Sequence, residues 1–151
     1  MNKKRLVVRF CCGGLLRFLS HQETVTAIER TIRRSGLPVS FTQGFHPRIK
    51  VSYSPAIPTG VASLAHYVLL ETDEECKDPV SLLNSASNYT LGALSAWYLS
   101  SNHKRIEDLI DSYRMVLVLR KELYDPNLYD AGAQVTKKTK SGQREYMAGD
   151  V

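Results

Sequence analysis

Cysteine is scarce in this chain, and the few residues present are badly placed for chemistry. Cys11, Cys12 and Cys76 are the three. An odd number completes no disulfide framework, and adjacent thiols are poorly spaced for a zinc or iron–sulfur site. Three reduced, mostly buried thiols are expected instead. A redox cluster held by three closely spaced thiolates has no triplet to hold it. No metal and no cofactor are expected in the chain itself. Other absences narrow the field further. No run approaches the roughly 18 apolar residues of a membrane span. The basic start, Met1 to Arg5, is not followed by an apolar stretch of signal-peptide length with a small-residue cleavage site. A cytoplasmic location away from membranes is therefore expected. Gly13-Gly14 is too short for a phosphate-cradling loop and lacks the following Lys-Ser/Thr. There is no Gly-x-Ser-x-Gly elbow. A self-sufficient redox, metal or nucleotide enzyme is not what these residues describe.

What is abundant is positive charge, unevenly spread. The 151 residues carry a net charge of +5. Residues 1–60 hold ten Lys/Arg against two acids, Glu23 and Glu29. Residues 61–111 hold three against eight, and residues 112–151 seven against five. A basic half of this kind is a surface for phosphate or another anion, without choosing which. The length fits one domain, and a chain of this size buries about 68–70% of its unfolded surface, so it needs no staples.

The elements follow from periodicity. Residues 5–10 alternate Leu6, Val8 and Phe10 against Arg5 and Arg9, a half-buried strand. Gly13-Gly14 marks a turn, and Leu15 to Leu19 extends the chain as a hairpin or bent strand. Ser20-His21-Gln22-Glu23 is a capping box. Gly36 fits the left-handed position after the helix, and Pro38 stops it. Between them Val25, Ile28 and Ile32 line an inner face, with Arg30, Arg33 and Arg34 opposite. Glu29 and Arg33 are spaced as an i, i+4 ion pair. Val39 to Thr42 reads as a short extended run, Ile49 to Ser54 as a second strand and Tyr67 to Thr72 as a third. Asp78-Pro79 opens a second helix, running to about Ser87. Leu91 to Leu99 is a fourth strand, Lys104 to Asp111 a short helix or connector, and Tyr113 to Leu119 a fifth strand. The expected class is α+β: a ferredoxin-like β-α-β-β-α-β split unit with an extra C-terminal strand, and two helices on one face of a mainly antiparallel sheet. It occupies residues 1–124. Residues 125–151 show no period and are expected to be a mobile basic tail.

Several N-terminal motifs stand in a fixed order. They are Arg17-Phe18-Leu19-Ser20-His21 leading into the helix, Glu29-Arg30, and Arg33-Arg34-Ser35-Gly36-Leu37-Pro38. Gln43-Gly44-Phe45 with Pro47 follows, then Pro58 and Gly60. Over roughly residues 5–120 the series resembles the radical-SAM-linked conserved domain family, a domain of unknown function. Members stand alone, are fused to cobalamin-type radical SAM proteins, or are encoded beside them, often near ribonuclease G-type and ribosomal-protein genes. The resemblance implies a radical SAM partner encoded elsewhere and a link to RNA or to a ribosome-linked substrate. This chain departs from the family at Gln22 and Glu23, where Leu-Asp is usual, and at His46 to Ile49, where Asn-Pro-His-Pro is usual. It departs again at His66, where a glutamate commonly stands.

The candidate anion or nucleic-acid site is Arg17, Ser20, His21, Arg30, Arg33, Arg34, Gln43, Gly44, His46, Arg48 and Lys50. The start of the first helix would offer free amides, the basic residues phosphate contacts, and exposed aromatics such as Tyr53 a stacking surface. The Gly44 loop is expected to fold back and share that site. His21 and His46 are weak candidates for an acid and a base, whereas His66 and His103 carry no expected role. Three functions fit. The first is a module holding RNA or another anionic macromolecule for a radical SAM enzyme. The second is a protein–protein adaptor docking on that enzyme. The last is a metal-independent RNA-processing enzyme.

Overall fold

A computed structural model describes residues 3–87, 91–100, 105–112, 134–139 and 142–147, together with Arg114, Val116, Val118, Arg120 and Glu122. The chain divides into two compact units, Met1–Ser112 and Tyr113–Val151.

In the first unit the elements run β1 (Lys4–Cys12), α1 (His21–Arg34), β2 (Val51–Tyr53), β3 (Ser63–Thr72), α2 (Pro79–Ala86) and β4 (Leu91–Leu99). This is the α+β class and the strand–helix–strand–strand–helix–strand order that the periodicity predicts. The sheet order is β2-β3-β1-β4, and every neighbouring pair is antiparallel. β1 is thus central. Leu6, Val8, Phe10 and Cys12 project from one side of it into a core with Ile28 and Ile32 of α1, Leu83 of α2, and Val68 and Leu70 of β3. Both helices therefore cover that one face. Each fully buried Leu, Ile or Phe here contributes about 1.5–3 kcal/mol of transfer free energy.

Two bulges flank Phe10. Against β3 the register jumps from Phe10↔His66 to Cys12↔Ser63, and against β4 from Arg9↔Ser95 to Phe10↔Ala93. The extra residues are turned outwards, which is why Leu64 and Leu94 are exposed.

α1 is made by its ends. The Glu23 amide donates to the Ser20 hydroxyl, and the Glu23 carboxylate accepts from the Ser20 amide at 2.8 Å. Past its far end Gly36 takes φ +73°, a left-handed conformation that side chains resist. α2 is capped by Asp78, whose carboxylate accepts from the Ser81 amide at 3.0 Å, with Pro79 at the first helical position.

Two stretches differ from expectation. Leu15 to Leu19 is not extended: Gly14–Phe18 is a 3-10 turn, closed by Leu16 N–H to Gly13 and Leu19 N–H to Leu16. Gly14, at φ 55°, starts this turn instead of a hairpin. The short helix or connector expected over Lys104 to Asp111 takes the form of a 3-10 turn at Glu107–Leu109. In the second unit, where no element is predicted beyond residue 124, Gln134–Thr139 (β5) and Gly142–Met147 (β6) pair as antiparallel strands. A backbone ladder has formed there without the apolar alternation that announces a strand. The fifth strand predicted over 113–119 falls largely outside the described residues. Among the described residues no helix is long and apolar enough to cross a membrane.

Candidate functional site

The outer face of α1 carries exposed Arg30, Arg33 and Arg34. Glu29 does not pair with Arg33 as the spacing predicts. Its carboxylate accepts from the Tyr53 hydroxyl at 3.1 Å. Tyr53 is half-buried, and burial together with the Glu29 charge pushes its hydroxyl far above the usual range. It is therefore not the exposed stacking surface expected of it. Arg33 instead lies over Phe41, 5.4 Å from the ring centroid. Phe41 is partly exposed and Phe45 wholly so. Phe41, not Tyr53, is the ring beside the arginines of α1, and Phe45 follows on the adjoining loop.

The loop holding Phe45 is clasped at its base. The Thr42 amide donates to the Arg48 carbonyl at 2.8 Å, and the Arg48 amide to the Thr42 hydroxyl at 3.0 Å. Phe41 bridges Ile49 behind them. Gln43, Gly44, His46 and Arg48 are all exposed on this loop. Lys50 behaves differently. Its ammonium lies 3.0 Å from Glu71, whose other oxygen meets Arg5 at 3.3 Å. Glu71 is buried, so these two cations hold a carboxylate that would otherwise be costly there. Lys3 pairs with Asp73 and Lys4 with Glu75. The acidic stretch 71–75 thus folds onto the basic start of the chain and onto Lys50. Among the described residues, Arg17, Arg30, Arg33, Arg34 and Arg48 keep no carboxylate partner.

The start of α1 forms a separate place. The Gly60 amide donates to the Arg17 carbonyl at 2.6 Å, drawing the 57–61 loop against the 3-10 turn. The Arg17 guanidinium lies over Phe18 at 4.6 Å. Below is a small cavity, with room of about 20 Å³, lined by Cys12, Arg17, His21, Thr24, Pro58 and His66. His66 is 1% exposed. Its Nδ1 is 3.4 Å from the Ser54 hydroxyl, and its Nε2 has no hydrogen-bond partner. Burial, and secondarily His21, lower its pKa to about 4, so the ring is neutral. Cys12 is pushed up to about 11 by burial and by Cys11, which makes it a poor nucleophile. The Glu23 carboxylate already takes the Ser20 amide and hydroxyl, so a negative charge sits where an incoming anion would meet the helix.

The structure therefore groups the predicted residues in two places. Arg17, Ser20 and His21 gather with His66 at one end of α1. Gln43, Gly44, His46 and Arg48 belong with Arg33 and Phe41, about 18 Å along the helix. The loop that reaches the helix start is 57–61, not the Gly44 loop. His66 lacked an expected role, yet strand parity places it beside Val68 and Leu70, facing the helices. Among the described residues no three His, Cys, Asp or Glu side chains group as metal ligands.

This is a small α+β domain: a four-stranded antiparallel sheet, two helices on one face, and an arginine–phenylalanine surface outside them. The model of a family described as an uncharacterized protein conserved in bacteria, DUF2344, matches residues 5–150, and the chain belongs to that family. No curated protein matches it.

Proposed function

We propose that this domain is an accessory binding module that holds an anionic macromolecule, RNA foremost, on the outer face of α1 and the adjoining 41–48 loop. The observation that carries this reading is Arg33 over Phe41, with a wholly exposed Phe45 on the loop that follows and arginines without carboxylate partners. Exposed phenyl rings cost solvation, and next to planar guanidinium groups they suit stacked bases and phosphates together. The partner served is proposed to be a radical SAM enzyme on another chain, from the resemblance in the N-terminal motifs. RNA binding measured across a salt series tests the first part. A steep decline is expected, with log K falling by about 0.7 per phosphate contact on a single strand. Weak binding that ignores salt counts against it. Co-purification with a radical SAM protein of the same cell tests the second part, and its absence from the purified complex counts against it.

The adaptor reading has one observation in its favour. Leu15, Phe18, Val61 and Leu64 are exposed apolar side chains around the start of α1, suited to protein contact. Charge reversal at Arg33 and Arg48 would leave such docking unchanged, whereas Phe18→Asp would abolish it. An acid–base pair of His21 and His46 finds no support in their placement at opposite ends of the helix.

A further inference from the structure

The sheet has a second face, turned away from the helices. On it Val7 lies between Leu69 and Trp97, and Arg9 between Tyr67 and Ser95. The segment 105–112 crosses this face and packs on it through Ile106, Leu109 and Ile110. Ile106 is 2% exposed and packs with Val7 and Leu69, and its amide donates to the Ser52 hydroxyl at 3.0 Å. Beyond Ile106 the segment stays on the sheet through Leu109 and Ile110, which pack on the same cluster and also line the space beside it. The space left is a cavity of about 440 Å³.

Its lining is unlike that of a core void. Tyr67 and Trp97 meet edge to face, with centroids 6.2 Å apart, and Trp97 remains 43% exposed. Val7 and Leu99 add aliphatic surface, and Asp111 and Ser112 supply polar groups. Next to this pair is Arg9, whose Nε is buried without a hydrogen-bond partner. Arg5, four residues earlier on the same face, is held by Glu71, whereas Arg9 has no carboxylate among the described residues.

Each feature selects. The volume is that of a small-molecule site and admits a flat heterocycle. Two aromatic side chains offer a partner for its ring. The Asp111 carboxylate accepts from amino or ring N–H groups, which a base has and a phenyl group lacks. Arg9 remains for a phosphate. Antiparallel sheets that present aromatics on an open face bind single strands by stacking splayed bases, and stacking requires that the base be unpaired.

We infer that this cavity receives one unpaired nucleobase of a single-stranded RNA, against Tyr67 and Trp97, with the neighbouring phosphate at Arg9. The site is on the opposite side of the sheet from the α1 arginines and does not rest on them.

Trp97 is the chain's single tryptophan, so its emission reports this cavity alone. The full chain is titrated with a single-stranded oligoribonucleotide, its duplex, and adenosine. The single strand is expected to quench Trp97 at least about tenfold more tightly than adenosine, because it alone brings a phosphate to Arg9. The duplex is expected to leave emission unchanged. Arg9→Gln should weaken the single strand about tenfold and leave adenosine as it was. Arg33→Ala with Arg48→Ala should preserve the Trp97 response, so failure of the arginine face is read separately. Three results overturn the inference: oligonucleotide binding seen by anisotropy with Trp97 silent, equal affinity for adenosine and the strand, or equal quenching by the duplex. Thermal melts of each variant confirm that it is folded.

Discussion

The Arg33 guanidinium lies 5.4 Å from the centre of the Phe41 ring. A charge and a flat apolar surface are thereby presented side by side, and RNA engages them differently. Arg33→Ala is expected to lower the salt slope of RNA binding by about 0.7, the share of one phosphate on a single strand. Phe41→Ala is expected to weaken binding by about 1–3 kcal/mol with the slope unchanged, as for a lost stacking partner. Filter binding at several salt concentrations separates the two. Equal slopes in wild type and Arg33→Ala would remove this arginine from the interface.

His66 makes stability depend on pH. Its folded pKa is lowered from 6.5 to about 4. The unfolded chain therefore takes up a proton at this residue first as pH falls. The contribution is complete above about 6.5 and is lost progressively towards 4, up to a few kcal/mol. Urea melts of wild type and His66→Gln across that range are expected to show a flatter profile in the variant. Parallel profiles would mean that the acid sensitivity arises elsewhere.

Gly36 isolates a backbone effect. A Cβ added there would meet nothing within 4 Å, yet φ is +73°. Gly36→Ala is therefore expected to destabilise by about 1–2 kcal/mol through conformation alone, and Gly36→Asn by less. Calorimetry on the three proteins should rank them Gly, Asn, Ala.

The reciprocal bonds of Ser20 and Glu23 hold the start of α1. Ser20→Ala is expected to cost about 1 kcal/mol. Glu23→Gln keeps a side-chain acceptor and removes the charge whose pKa is lowered by the Ser20 hydroxyl and amide, so it should cost less. A ranking in the reverse order, by chemical denaturation, would show that the charge governs the cap and the hydroxyl does not.

The limits of α1 are readable in the sequence because both ends carry their own chemistry: a hydroxyl and a carboxylate three apart, then glycine before proline. The strands of the first unit are readable from alternation. The 3-10 turn at Gly14–Phe18 is not, since Leu16 and Phe18 mimic a strand while a single left-handed glycine decides the path. Glu29 and Arg33 have correct spacing for an ion pair, but the hydroxyl that takes Glu29 comes from β2. His66 has a legible facing and an illegible neighbour, because His21 reaches it only through the fold. Phe41 and Phe45 are hidden for a different reason. Large apolar residues are read as buried by default, and exposure is a property of the assembled surface.

Central β1 precedes in the chain every strand it pairs with. Leu6 faces Leu70 on one side and Tyr98 on the other. During synthesis β1 therefore emerges with both edges bare and stays so until β3, and then β4, has cleared the ribosome. Nearly all of the sheet closes over such long separations, which slows folding, and the nascent chain exposes an apolar strand throughout that interval. The wait before β4 arrives is thus the interval in which the nascent chain is most open to aggregation.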